Sequence, residues 1–234
     1  MPKVYGLIPA RSGSTRFPNK NVSPFNGRPL YEWTLDFSTQ SNLFDKLFVS
    51  TDIPEIKNKV PKGMHVLDRP EYLATSNATL LQVIQHLIDS ESLENDATLV
   101  LLPVTGVLRL QTDLTSGLEK FKEFERNRTV VPVSQNLHPP GLLWEMEGES
   151  LIPREKSDDP LFTQKDKHKP TYLWNDLFLI DTCGNWEDPS RNLYGSNPVA
   201  QLIPVERCMP IDYPIQFELA ERLADRQQEK GAST

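Results

Sequence analysis

The order of apolar segments constrains the fold of this chain more than any other feature. Strand-sized apolar runs occupy residues 4–8, 46–50, 63–67, 98–102 and 129–133. Segments with the apolar spacing of amphipathic helices lie between them, at residues 29–39, 54–59, 77–88 and 114–124. Strands that alternate with helices pair mainly in parallel, with helices on both faces of the sheet. The sequence therefore predicts an α/β fold with a doubly wound, mostly parallel sheet.

The alternation ends after residue 134. Segments 142–146, 171–180 and 200–205 are predicted strands, and residues 214–228 are a predicted closing helix. Between them, residues 139–170 are rich in charge and interrupted by proline, with little apolar periodicity. We interpret 1–234 as a single domain in which 139–170 form a small dimerisation arm or flap.

Composition excludes several classes of function. The formal net charge is −7 over 234 residues, which disfavours a nucleic-acid partner because phosphate backbones require a basic face. No apolar run approaches the roughly 20 residues of a membrane span, and we see no signal peptide. Cys183 and Cys208 do not form a CxxC pair, so we expect a cytoplasmic protein without a membrane partner. The four histidines show no metal-ligand spacing.

One loop carries a local cluster of cations. Arg11, Arg16 and Lys20 lie within ten residues after the first strand, and Ser12-Gly13-Ser14 stands among them. A triphosphate requires fixed cations and backbone N–H groups that it can approach closely. The Walker pattern is absent. From composition alone, a solvated basic loop is an equally good interpretation.

Residues 8–21 resemble the signature of the CMP-sugar synthetases, IPAR-x-GS-x-R-x-x-x-KN. Residues 50–52 are similar to the STD motif of this family, 69–74 to RP-x-x-LA, 101–109 to LLQPTSPLR, 170–175 to P-x-Y-x-x-N and 209–212 to IDID. The resemblance implies a nucleotide-diphospho-sugar transferase-like Rossmann variant. It also implies transfer of a cytidylyl group from CTP to an acidic sugar of the nonulosonate or octulosonate type, with release of pyrophosphate.

The resemblance further implies roles for individual residues. Predicted CTP-binding residues are Ala10, Arg11, Ser12, Gly13, Ser14, Lys20, Asn21, Arg69 and Thr79. Predicted sugar-binding residues are Thr105, Arg109, Lys165 and Asn175. Catalysis would depend on Arg11, Lys20 and Asp212, with Asp212 binding Mg²⁺. By the same analogy we expect a homodimer in which Lys165 reaches the active site of the partner.

Each role has a structural alternative. Asp52 and Asp212 could cap the helices that follow them. Arg69 and Arg109 could form ion pairs without contacting a ligand. Asn175 could form hydrogen bonds with unpaired backbone groups at the edge of a strand.

The chain also departs from the family pattern. Pro210 replaces one of two paired aspartates, Pro103 replaces a glutamine, Gln82 replaces an aspartate, and Lys165 stands where the pattern is rich in arginine. These departures lie mostly in the acceptor half. They favour an atypical acceptor, which could be another nonulosonate, an octulosonate or a small phosphonate. A non-catalytic nucleotide-binding paralogue is the remaining alternative.

Overall fold

A computed structural model describes residues 2–138, 140–154 and 169–232 of the chain. The strands are β1 (Val4–Ala10), β2 (Pro24–Phe25), β3 (Arg28–Pro29), β4 (Lys46–Thr51), β5 (Met64–Asp68), β6 (Thr98–Leu101), β7 (Val130–Gln135), β8 (Trp144–Glu147), β9 (Ser150–Pro153), β10 (Tyr172–Trp174), β11 (Leu179–Thr182) and β12 (Val199–Leu202). The helices are α1 (Leu30–Gln40), α2 (Pro54–Lys59), α3 (Glu71–Ala74), α4 (Leu80–Glu91), α5 (Gln111–Glu123), α6 (Cys183–Glu187) and α7 (Pro214–Ala232).

The central sheet has the strand order β10-β7-β11-β6-β1-β4-β5, and β12 pairs with β7. Strand β1 pairs in parallel with both β4 and β6, and β4 pairs in parallel with β5. Strand β11 runs antiparallel to its neighbours β6 and β7. The predicted α/β fold with a mostly parallel sheet is confirmed.

Successive residues of β1 enter different cores, as a period of two requires. Ile8 packs in a core with the apolar faces of α1, α5 and α7. Leu7 packs in a second core with α4 and α6. Both side chains are completely buried. Helices therefore cover both faces of the sheet, which makes it doubly wound.

The structure corrects several predicted elements. The predicted strand 171–180 is two strands, β10 and β11, separated at residues 175–178. The predicted strand 142–146 belongs to a separate two-stranded hairpin of β8 and β9. Helix α5 begins at Gln111, three residues before its prediction, because Asp113 accepts a hydrogen bond from the Leu110 N–H (2.8 Å). Helices α3 and α6 were not predicted.

The topology places the loops that follow β1, β4 and β6 at one edge of the sheet. In open α/β sheets, ligands bind beyond the carboxyl ends of the strands. The basic loop after β1 lies at this edge. Among the described helices, none is both long and apolar enough to cross a membrane.

Candidate active site

A cleft of about 270 Å³ opens at the carboxyl ends of β1 and β6. It is bounded by the basic loop, the start of α4, the turn after β6, the end of β10 and the segment before α7. Eight predicted site residues line it: Arg11, Ser14, Lys20, Asn21, Arg69, Thr79, Thr105 and Asp212. Residues far apart in sequence thus converge on one cavity.

Hydrogen bonds hold the basic loop in place. The Arg11 guanidinium donates to the Ala74 carbonyl (3.1 Å), which ties the loop to the end of α3. The Asn21 side-chain amide donates to the Arg11 carbonyl (2.8 Å). Asn21 therefore stabilises the loop and also faces the cleft.

Asp52 organises the phosphate-cradle candidate, Ser12-Gly13-Ser14. Its carboxylate accepts hydrogen bonds from the Ser12 N–H (2.8 Å) and from the Ser12 hydroxyl. Gly13 has a φ of 68°, a conformation that glycine adopts without strain. Within the described chain, the N–H groups of Gly13 and Ser14 have no hydrogen-bond partner. These two N–H groups are therefore the ones available to donate hydrogen bonds to a phosphate.

These contacts settle the alternative role of Asp52 and show where the other residues of the loop lie. The N-cap position of α2 is Ile53, without a side-chain cap, so the interpretation of Asp52 as a helix cap was wrong. Ser12 and Gly13 line a second cavity that adjoins the cleft, and the side chain of Ala10 is buried in the core. A role for Ala10 in CTP binding would have to come from its backbone.

Three charged side chains meet where the loop faces the segment before α7. The Asp212 carboxylate lies 3.4 Å from the Lys20 ammonium and 3.3 Å from the Arg16 guanidinium. Lys20 also donates to the Ile211 carbonyl, and its side chain is only 12% exposed. Burial lowers the pKa of Lys20 from its ordinary value, and Asp212 opposes this shift. The Asp212 side chain, 36% exposed, is within reach of ligands in the cleft.

Arg69 is buried at the edge of the cleft, only 7% exposed. It donates to the Ser50 hydroxyl (3.2 Å) and to the Ser50 carbonyl (3.0 Å), so the suggested pairing with a surface acid was wrong. Burial lowers the pKa of Arg69 to about 10. The guanidinium still carries its charge at neutral pH and is held rigidly.

Thr79 and Gln82 form a capping box at the start of α4. The Thr79 hydroxyl accepts from the Gln82 N–H (3.2 Å), and the Gln82 side chain accepts from the Thr79 N–H (2.9 Å). The departure from the family pattern at Gln82 thus has a structural role, because it fixes the wall of the cleft to which Thr79 belongs.

Asp176 lines the cleft and was missed by the sequence analysis. Its carboxylate accepts a hydrogen bond from the Thr105 hydroxyl (2.9 Å). Burial raises the pKa of Asp176, and the nearby Asp212 carboxylate adds to this shift. The sequence signal was an acidic residue, next to Asn175, in the middle of the segment 171–180 that was predicted to be one strand.

Arg109 and Asn175 do not line the cleft. Of the two predicted positions, beside the sugar or framing its pocket, the structure favours the second. Arg109 is 5% exposed and donates to the carbonyls of Gly106 (2.6 Å) and Pro103. Burial lowers the pKa of Arg109 to about 9. The buried Asn175 amide donates to the Ser134 hydroxyl (3.2 Å). Lys165 lies outside the described residues.

The family model described as cytidylyltransferase matches residues 5–109, which contain the basic loop, Arg69 and the turn after β6. The chain is therefore similar to cytidylyltransferases over this part of its length. The matched residues include Arg11, Lys20 and Thr105, which line the cleft.

Two relatives cover most of the chain. An N-acylneuraminate cytidylyltransferase from Escherichia coli O18:K1:H7 is 26% identical over an alignment of 225 positions, which covers 93% of this chain and 51% of the relative. A CMP-N,N'-diacetyllegionaminic acid synthase from Legionella pneumophila is 28% identical over an alignment of 238 positions, which covers 97% of this chain and 98% of the relative. The chain spans about half the length of the acylneuraminate relatives that it matches.

Solved structures share the fold at low sequence identity. A CMP:2-keto-3-deoxy-manno-octonic acid synthetase complexed with CTP superposes with a TM-score of 0.69 at 14% identity, covering 96% of this chain and 99% of that chain. A 2-C-methyl-D-erythritol 4-phosphate cytidylyltransferase from Francisella tularensis has the same TM-score at 13% identity, covering 94% and 99%. At these identities the likeness supports the fold alone.

Proposed function

We propose that this protein transfers the cytidylyl group of CTP to an acidic sugar of the nonulosonate or octulosonate type and releases pyrophosphate. The observation that carries the proposal is the convergence of Lys20, Arg16 and Asp212 in one cleft with the N–H groups of the basic loop. This arrangement fits a triphosphate, and relatives that match over most of the chain are named for cytidylyl transfer to acidic sugars.

Different groups of the cleft bind different parts of CTP in this proposal. Arg11 and Lys20 contact the phosphates, and the N–H groups of Gly13 and Ser14 add hydrogen bonds. Arg69, held rigidly by Ser50, contributes to recognition of the cytosine ring. Since a buried cation is fixed before the ligand arrives, little ordering is required on binding.

The transfer step needs charge stabilisation more than covalent chemistry by the protein. The anomeric hydroxyl oxygen of the acceptor attacks the α-phosphorus, and its proton passes to solvent. The bond between the α-phosphorus and the bridging oxygen breaks, and that oxygen leaves with the pyrophosphate. Lys20 and Arg11 stabilise the negative charge that grows on the leaving group.

A magnesium ion held by Asp212 belongs to the same proposal. Magnesium is commonly bound through one or two carboxylates together with substrate phosphates and water. Among the described residues, no group of three or more His, Cys, Asp or Glu side chains could hold a metal ion. The donor set of the cleft nevertheless fits a magnesium ion bound jointly with a nucleotide. When bound, the ion supplies positive charge to the phosphate oxygens.

We also propose that the protein forms a homodimer in the cytoplasm. The outer side of the sheet beyond β7 and the β8–β9 hairpin expose several large apolar side chains: Trp144, Met146, Leu151, Tyr172, Leu173 and Leu202. Exposed large apolar side chains in this number favour contact with another chain. The two free cysteines are consistent with a reducing compartment. Light scattering should give twice the 26.7 kDa chain mass, whereas a fully active monomer would refute the dimer.

The experiment that tests the proposed function is pyrophosphate release across a panel of acceptors and nucleotides. CTP with Mg²⁺ and at least one nonulosonate or octulosonate should release pyrophosphate, while UTP, ATP and GTP should release far less. Release with a small phosphonate alone would replace the acceptor class. CTP binding without release for any acceptor would support the non-catalytic alternative.

A further inference from the structure

The β-ladder beside the cleft is interrupted where Asp176 stands. Strands β10 and β11 both run antiparallel to β7, with Trp174 opposite Val133 and Ile180 opposite Val130. From 174 to 180 the chain advances six residues, whereas from 133 to 130 the partner strand advances three. The extra residues form a bulge, a feature that re-aims side chains beside active sites. Asp176 lies within it and lines the cleft.

The turn after β6 is shaped to receive this bulge. The Thr105 hydroxyl donates to the Asp176 carboxylate (2.9 Å). A Cβ atom added at Gly106 would lie 2.4 Å from the Asp176 carbonyl oxygen, so the close approach of the two backbones requires glycine there. Both contacts fix Asp176 before any ligand binds.

Asp176 shares the cleft with Asp212, and each influences the same lysine. The charge of Lys20 acts on both carboxylates, and the two carboxylates repel each other. In a partly enclosed cleft this repulsion is weakly screened by solvent. The Asp212 carboxylate is compensated by Lys20 and Arg16. Among the described residues, the Asp176 carboxylate accepts a hydrogen bond only from a neutral group, the Thr105 hydroxyl. A divalent cation would offset the charge of both acids.

We infer that Asp176 is a second carboxylate of the reaction centre and binds the divalent cation of the CTP complex together with Asp212. The inference rests on the proposed function, since the cation arrives with the nucleotide. Two carboxylates and the phosphates make up the ligand types that magnesium prefers.

The test measures binding of Mn²⁺, used as a spectroscopic substitute for Mg²⁺, to the CTP complex by electron paramagnetic resonance. Asp176→Asn should weaken Mn²⁺ binding by about 10- to 100-fold, the range seen when groups that support a bound metal are lost. Its amide oxygen can still accept from Thr105, so the melting temperature should hold. The matched control is Asp188→Asn, an aspartate outside the cleft that bonds Ser190, which should bind Mn²⁺ like the unchanged protein.

Two results would overturn the inference. One is an Asp176→Asn variant that binds Mn²⁺ as tightly as the control does. This result would refute the inference even if the variant also raised the KM for the acceptor. The other is measured on the unchanged protein, so it tests the inference even if the variant does not fold. Bound Mn²⁺ should broaden the ¹³C-carboxyl resonance of Asp176 but not that of Asp188. If the two resonances stayed equally sharp, ligation by Asp176 would be refuted. Mn²⁺ binding is measured without turnover. If the unchanged protein were inactive but Asp176→Asn still weakened Mn²⁺ binding, the proposed function would be refuted and the inference about Asp176 would stand.

Discussion

Replacing Lys20 with methionine removes one positive charge from the centre of the cleft and keeps most of the side-chain volume. The ammonium donates to the Ile211 carbonyl and lies 3.4 Å from Asp212. Losing the donor leaves one carbonyl unpaired, a cost of about 1–3 kcal/mol. The same change removes a cation whose burial is itself unfavourable, as its lowered pKa indicates. We therefore expect the free energy of unfolding to fall by no more than about 2 kcal/mol.

Activity should fall much further than stability. Loss of one preorganised group that stabilises transition-state charge typically lowers kcat by about 10²–10³-fold. We expect Lys20→Met to show this loss in a pyrophosphate-release assay, with only a modest rise in the KM for CTP. Lys59→Met, at a surface lysine that ends α2, is the matched control and should retain full activity. A Lys20→Met variant with near-normal kcat would refute the assignment of Lys20 to the leaving pyrophosphate.

Three further predictions follow from contacts away from that lysine. Asp52→Ala should raise the KM for CTP about tenfold with little change in kcat, because it removes the hydrogen bonds that hold Ser12 without changing a group that contacts the reacting atoms. An unchanged KM would show that Asp52 does not organise the phosphate cradle. Arg207→Met should lower the free energy of unfolding by about 3 kcal/mol in chemical denaturation, because Asp113 would lose a buried, doubly hydrogen-bonded partner; a loss below about 1 kcal/mol would contradict this. Burial raises the pKa of the Cys183 thiol to about 12, so at pH 8 it stays protonated and a thiol reagent should modify only Cys208, with both reacting in denaturant.

The sheet was predictable because the buried strands carry their own signal. Residues 99–102 are apolar without interruption, and the strand β6 to which they contribute is buried along its whole length, as expected for a strand covered on both faces. The order of the strands in the sequence then predicts the loops after β1 and β6. The break between β10 and β11 was not predictable, because it is set by pairing with β7, which lies about 40 residues earlier in the chain. Local periodicity contains no information about such a register.

The candidate site was predictable where a motif and a cleft coincide. Lys20 and Asp212 were selected from short motifs, and the fold brings them within 3.4 Å across 192 positions of sequence. Arg109 was also predicted from a short motif, but its guanidinium donates to carbonyl groups of the turn to which it belongs. Asp176 was not predicted because the P-x-Y-x-x-N motif ends one residue before it, at Asn175, and the residues that follow it, from Leu177, are apolar. Which way a side chain points depends on tertiary packing, which these motifs do not encode.

The central claim is tested most directly by ³¹P nuclear magnetic resonance of the complete reaction. The protein is incubated with CTP, Mg²⁺ and the acceptor that gives most pyrophosphate release. The account predicts that the three CTP resonances are replaced by a pyrophosphate signal and one phosphodiester signal, formed in equal molar amounts. Conversion of CTP to CDP and inorganic phosphate, or to CMP and pyrophosphate without a phosphodiester, would contradict cytidylyl transfer to a sugar.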